Sequence, residues 1–293
     1  MLIGRKDQER WKQALGIIGA SPLSITGILI ILFFLLIGIF APYIAPYPQD
    51  ATGQTMSLKE KLQPPSPRHL AGTDDLGRDV LSRVIYGTRL SLGLGAAVVF
   101  ATAIIGIPLG LIAGYFGGKM DEVVMRIGDI FLAIPYLLLV IAVVLATGRG
   151  LGKLVFAIAL PWWPWYARVV RGEVIQLKEM SFIEAARAVG ASNIRIIFYH
   201  ILPNVLNITI VQASVQIGRA ILAVGAMGFL GLGARPPQTE WGLMISIGRQ
   251  FMPTWWWIAC FPGAAIFLLG LGFNLFGDGL RDILDPRGLT QER

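Results

Sequence analysis

The stretch SFIEAARAVGASNIRIIFYHILPN, residues 181–204, stands apart from the apolar runs on either side of it. Ser181 followed by Glu184 has the spacing of a capping box, which predicts a helix beginning at about Phe182. Gly190 supplies a residue that can close such a helix in the left-handed conformation. Ser192 is placed to cap a second helix, and Pro203 marks the point where the chain leaves for the next apolar run. Ala185, Ala186, Ala188 and Ala191 keep the surface low and close-packable. Two short helices joined at Gly190 are expected. A DNA-reading helix–turn–helix has this size, but both ends here are tied within a few residues of apolar spans. A compact helical knob beside such spans suits docking to a partner.

The surrounding composition sets the frame. Of 293 residues, 55% are hydrophobic and only 15% charged, with a mean hydropathy of +0.65; soluble domains carry charge on roughly a quarter of their residues. The net charge of +7 is spread between apolar spans rather than gathered on one face, which argues against nucleic acid as a partner. A bilayer-crossing helix needs about 20 mostly apolar residues. Six segments qualify: roughly 24–44, 90–114, 127–148, 154–172, 205–231 and 255–277. The fourth carries Pro161, Pro164, Arg168 and Arg171, and glycines such as Gly106, Gly110, Gly114, Gly225 and Gly228 suit close helix packing in lipid. The first run is longer than a signal-peptide core and is read as a retained anchor. The expected fold is an all-α membrane protein of six transmembrane helices.

An even number of spans puts both termini on one side. The basic N-terminus (Arg5, Lys6, Arg10, Lys12) and the connection from the fourth to the fifth span favour the cytoplasm for both. The expected organisation is a cytoplasmic segment over 1–24, a first transmembrane helix over 25–44 and an extracytoplasmic segment over 45–89. A five-helix core follows over 90–277, with the charged loop at 174–204 inside it, and a cytoplasmic tail over 278–293.

With these residues placed, Glu184-Ala185-Ala186, Gly190 and Leu202-Pro203 resemble the EAA loop of permease subunits of ATP-binding-cassette (ABC) importers. His200 stands where isoleucine is usual. GTDDLGRDVLSRVIYGTRLSLGLG (72–95), GLIAGYFGG (110–118) and MDEVVMRIGDIFLAIP (120–135) are similar to segments of the dipeptide, oligopeptide and nickel permeases. So are GFLGLGARPPQTEWG (228–242) and FPGAAIFLLGLGFNLFGDGLRDILDPR (261–287). The resemblance is to the dipeptide-permease C type and covers about residues 25–287.

That resemblance implies the type I ABC-importer permease fold in the bacterial or archaeal plasma (inner) membrane. It implies a homologous second permease, two cytoplasmic ABC ATPases and an extracytoplasmic substrate-binding protein as partners, with membrane lipid around them. The EAA loop, with Glu184, Ala185, Ala186, Gly190, Leu202 and Pro203, then supplies the coupling helix that docks on an ATPase. Di- or oligopeptides are the implied cargo, with a nickel chelate or other small solute as the alternative.

No G-x-x-x-x-G-K-[ST] phosphate loop is present; the nearest approach, GRGLGKL at 148–154, ends in Leu154 where Ser or Thr belongs. The chain is therefore expected to bind no cofactor of its own, with ATP–Mg consumed by partner subunits. His69 and His200, the two histidines, fall on opposite expected faces, so neither a metal site nor a histidine-based hydrolase is expected. A secondary transporter would favour paired intramembrane carboxylates, whereas the acidic residues lie in loops.

Two polar features remain. Arg219 falls mid-span, about 22 Å from Asn204 at 1.5 Å per residue. A charge there needs protein or water around it, which suggests a place on the translocation pathway against a structural alternative. Asp74, Asp75, Arg78 and Asp79, with Arg83, form a charge cluster before the second span. An extracytoplasmic contact competes there with a self-satisfied salt-bridge network. Trp162, Trp163, Trp165, Trp255, Trp256 and Trp257 are expected as interfacial anchors. GDGLRDILDPR at the C-terminus is expected to form a short polar helix.

Overall fold

A computed structural model describes residues 22–53 and 55–284; the N-terminal basic residues and the tail beyond Leu284 lie outside the described residues. All regular structure among the described residues is helical. The chain divides into two compact units, Met1–Gly93 with Ser214–Arg293, and Leu94–Ala213. Along the chain run α1 (Pro22–Ile44), a short α2 (Pro48–Ala51), α3 (Val80–Phe116), α4 (Gly118–Ala133), α5 (Tyr136–Thr147) and α6 (Leu151–Lys178). There follow α7 (Ser181–Ala188), α8 (Asn193–Arg195), a π-helical turn (Ile196–Ile201), α9 (Leu202–Phe229), α10 (Trp241–Gly248) and α11 (Trp257–Leu284).

Among the described residues, four helices are long and apolar enough to cross a membrane: α1, α3, α9 over Ile208–Phe229, and α11 over Trp257–Leu280. The expected third span is a pair, α4 and α5, bent by 93° at Ile134–Pro135; counted as one, it brings the total to five. Proline at 135 forces Ile134 into extended backbone (φ −90°, ψ 131°), which is where α4 stops. The expected fourth span is α6, 28 residues long, but Lys153, Arg168, Arg171, Glu173 and Lys178 along it keep it out of the apolar set, so the described residues carry four or five such helices where six were expected.

Helix boundaries depart from expectation in two places and the tryptophans in a third, each for a local reason. First, α3 begins at Val80 rather than near residue 90, because Asp79 caps it: its Oδ2 accepts from the Ser82 N–H and hydroxyl, both at 2.7 Å. Second, GDGLRDIL is the continuation of α11 rather than a separate helix, since Phe276–Leu284 keeps helical backbone throughout. Third, the tryptophans divide. Trp165 and Trp256 are exposed, but Trp163 and Trp257 are buried in the core. The Trp257 indole N–H donates to the Thr73 carbonyl at 3.1 Å, a reason for that ring to point inward.

In the first unit, α1 lies against α11 through small residues. A Cβ at Gly27 would stand 2.6 Å from the Phe276 nitrogen, and one at Gly272 would stand 2.7 Å from Ile30 Cγ2. The core gathers Phe34, Val80, Ile221, Trp241, Met244, Trp257, Ile266 and Leu269. Trp241 is fully buried, meets Phe34 edge-to-face at 5.7 Å, and donates its indole N–H to the Val84 carbonyl at 2.9 Å.

In the second unit, α3 and α6 approach backbone to backbone. A Cβ at Gly106 would lie 2.5 Å from Tyr166 Cβ, at Gly110 2.6 Å from the Ala167 oxygen, and at Gly114 2.7 Å from Val174 Cβ. Gly110→Val should therefore force the two helices apart and cost about 1–3 kcal/mol, the usual range for overpacking. Gly93, with nothing within 4 Å of its Cβ position, is the control: Gly93→Ala should be neutral or stabilising by about 0.5–1 kcal/mol. Thermal unfolding of the purified protein in detergent reads both.

Candidate functional site

The 181–204 stretch folds as a knob at the end of α6. After Lys178 the chain turns at Glu179 and Met180, whose N–H groups bond back to the Gln176 and Leu177 carbonyls, and α7 starts at once. The expected capping box does not form. Ser181 is already the first helical residue, Met180 occupies the cap position, and no side-chain cap bond is made. The turn from α6 is so short that the Met180 carbonyl takes the first bonds itself, from the Ile183 and Glu184 N–H groups at 2.9 and 3.3 Å.

The other end follows the sequence. Gly190 has φ +79°, the Ala191 N–H reaches the Ala186 carbonyl at 3.0 Å and the Gly190 N–H reaches Arg187 at 2.9 Å. This is a Schellman closure. Ser192 then caps α8 through a 3.4 Å bond accepted from the Arg195 N–H. The second helix is not short, however. It passes through the π turn into α9 without a break, with Pro203 as the second residue of α9. The wide turn suits a residue that has no N–H to give: the Leu202 N–H bonds five residues back to Ile197. The His200 carbonyl is satisfied by the Asn204 side chain at 2.6 Å.

The knob is a built object with one side turned inward. Ile183 and Ala186 of α7, Ile196, Ile201 and Val205 pack with Leu111 and Tyr115 of α3 and Val170, Val174 and Leu177 of α6. The outward side carries Glu184, Ala185, Arg187, Ala188 and Gly190, with Val189 84% exposed and Tyr199 77% exposed. Leu202 is half-buried beside this core, and Pro203 is exposed.

Three features of this unit escaped the sequence reading. Arg171 forms a two-pronged ion pair with Asp121 of α4, at 2.5 and 2.6 Å. Arg168 pairs with Asp129. Tyr115 donates its hydroxyl to Asn193 Oδ1 at 2.8 Å. The signal for the ion pairs was present as opposite charges on two neighbouring apolar helices, since ionisable groups within spans seek one another. Nothing in the local pattern marked Tyr115.

In the first unit, Asp74, Arg78, Asp79 and Arg83 are all buried and Asp75 is half-buried. Asp74 receives the Leu76 and Arg78 N–H groups at 2.9 Å, the Arg78 guanidinium at 2.8 Å and the Arg83 guanidinium. Asp79 takes His69 Nδ1 at 2.9 Å in addition to its capping bonds. Arg219 lies on the exposed side of α9, in register with Leu222 and Ala226, and no ion pair engages it among the described residues.

Glu240 was also missed. It is 1% exposed and caps α10, accepting from the Gly242 and Leu243 N–H groups at 2.8 Å. Burial raises its pKa above the usual carboxylate value, opposed by those two backbone bonds and by Ser91.

This arrangement defines an integral membrane protein that presents a capped helical knob from its bundle. A family model described as the binding-protein-dependent transport system inner membrane component matches residues 106–288. A second, the N-terminal transmembrane domain of oligopeptide transport permease C, matches residues 9–65. The chain belongs to this permease family. It is 48% identical over 277 residues to the dipeptide transport system permease protein DppC of Alkalihalophilus pseudofirmus, covering 94% of this chain and 90% of the relative. It is 45% identical to the probable D,D-dipeptide permease DdpC of Escherichia coli K12, with 91% and 88% covered. The glutathione permease GsiD of Pectobacterium atrosepticum is 44% identical, with 88% and 85% covered. Among solved structures, a chain of the inward-facing MetNI methionine ABC transporter superposes with a TM-score of 0.51. At 22% identity, with 69% of this chain and 96% of that chain covered, it shows the fold.

Because the folded state raises the Glu240 pKa, its contribution to stability is full below the ordinary carboxylate range and is lost as pH rises through the folded value. Glu240→Gln keeps an acceptor for the α10 N-terminus without the charge. Between pH 5 and pH 8 the melting temperature of the parent protein should fall relative to that of the variant. Parallel pH profiles would count against this assignment.

Proposed function

We propose that the chain is the membrane-spanning subunit of an ATP-driven importer that carries di- or oligopeptides. The observation that carries this reading is the knob itself: a short helix closed at Gly190, rigidly based on its own apolar core, with Glu184, Ala185 and Val189 left outward. The dipeptide and glutathione permeases it is similar to support the choice of peptide.

In this reading both termini and the 174–204 loop are cytoplasmic, 45–89 is extracytoplasmic, and α7 sits in a cleft on an ABC ATPase. Two such ATPases bind and hydrolyse ATP–Mg, a homologous permease completes the pathway, and an extracytoplasmic binding protein delivers the peptide. The chain itself contributes no catalytic group. ATP binding closes the ATPases and displaces α7; because Ile183 and Ala186 are packed against α3 and α6, the displacement reaches the spans. Ligand-driven switching requires different contacts in the two states, and a docked helix supplies them. On the outer side, the buried charges of Asp74, Arg78 and Asp79 hold their loop in one shape, so a binding-protein contact falls to the surface they support, with Asp75 nearest to it. Arg219 lines the pathway and meets a peptide carboxylate.

The first test is purification of the tagged chain from its native membrane in mild detergent. Two ATPases and a second permease should accompany it, and Glu184→Lys and Gly190→Pro should lose the ATPases while keeping the second permease. A chain that comes down alone would sink the reading. Arg219→Ala tests the pathway separately: in an assembled complex, peptide uptake should drop by about tenfold, whereas normal uptake would remove Arg219 from the pathway.

A further inference from the structure

The knob is joined by the chain itself to α6, through Glu179 and Met180, and to α9, through the π turn. It has no chain connection to α3. Yet two polar contacts tie the end of α3 to it and a third ties that end to α6, and all three fall on Tyr115. Its hydroxyl donates to Asn193 Oδ1 of α8 at 2.8 Å. Its carbonyl accepts from Lys178 Nζ, at the end of α6, at 3.0 Å. Its ring faces the Arg187 guanidinium of α7, 5.9 Å from the ring centre. The residue is buried (6% exposed) and belongs to the apolar core under the knob.

We infer that Tyr115 is the positioning residue that fastens the knob to α3, so that α3 and α7 move as one piece when the knob is displaced. The physical grounds are these. Apolar packing alone is non-directional and lets a short helix slide over its base. A hydroxyl carried on a buried ring and given a single well-placed acceptor is directional. The Arg187 guanidinium adds a second link between α7 and the same ring, an attraction of cation to ring face. Just before Tyr115 on α3, Gly106, Gly110 and Gly114 seat that helix directly on the α6 backbone. α3 therefore has no slack of its own with which to absorb a slip. The inference rests on the coupling role of α7 proposed above.

The test uses the complete complex. Cys260 is replaced by Ala, and spin labels are placed at Ile112→Cys on α3 and Ala188→Cys on α7, both exposed positions. The distance between them is measured without nucleotide and after trapping with ATP and vanadate. It should be the same in both states with Tyr115 present, and should differ between them in Tyr115→Phe, which keeps the ring and its burial but loses the bond to Asn193. ATP hydrolysis should persist in Tyr115→Phe, while transport per ATP falls by about two- to tenfold, the range one hydrogen bond supports. Asn193→Ala, which leaves Tyr115 and its packing untouched, should reproduce both effects and takes the measurement if Tyr115→Phe does not assemble. A distance that changes between states in the parent complex, or stays constant in both variants, overturns the inference. If the parent chain retains no ATPase at all, the coupling role fails instead, which is a distinct result.

Discussion

The contact on which the second unit depends is the seating of α3 directly on α6. Three glycines, spaced four residues apart at 106, 110 and 114, put the two backbones where no side chain fits between them. Lipid offers no hydrophobic driving force between helices, so close approach and dispersion must hold such a pair. Once α6 is fixed on α3, the remaining parts follow. Val170, Val174 and Leu177 present one apolar face to α7, and Arg168 and Arg171 present charges to α4. The knob is then the end of a stack rather than a loose loop.

The charges within this unit obey the same economy. Arg171 and Asp121 are half-buried and doubly bonded, so neither enters apolar surroundings unpaired. In the first unit the buried pair of Asp74 with Arg78 and Arg83 holds a loop rather than a helix. A buried ion pair is weak evidence for net stability, since desolvation offsets the attraction, but it defines one geometry sharply. Both sites use charge to specify shape.

Much of the fold was legible because its signals are local. Gly190 and Ser192 announced a helix end and a helix start by chemistry that depends on two or three neighbouring residues, and both took the expected form. The apolar runs announced helices in the same way, four of them, or five with the bent pair, long and apolar enough to span among the described residues. The capping box at Ser181 failed because the turn before it is a tertiary matter: α6 ends so close that the Met180 carbonyl already occupies the start of α7. The early start of α3 was readable in principle, since Asp79 and Ser82 have cap spacing, but the surrounding charges drew attention to partners outside the chain. Tyr115 and Glu240 were not readable. Their bonds reach Asn193 and Ser91, separated in sequence by 78 and 149 positions, and nothing near either residue records that distance.

The π turn at Ile196–Ile201 carries the helix that begins at the knob on into α9 with one residue more than an ordinary turn holds. An ordinary helix advances about 100° per residue, and a turn that holds one extra residue takes up that advance and leaves the segments on either side in step. Removing one residue there would let the turn close to ordinary four-residue bonds, with Ile196 and Val205 still facing the core that they share. The turn is therefore a reserve of length: a one-residue loss within it is absorbed on the spot, whereas the same loss within α9 would turn the helix by about 100°.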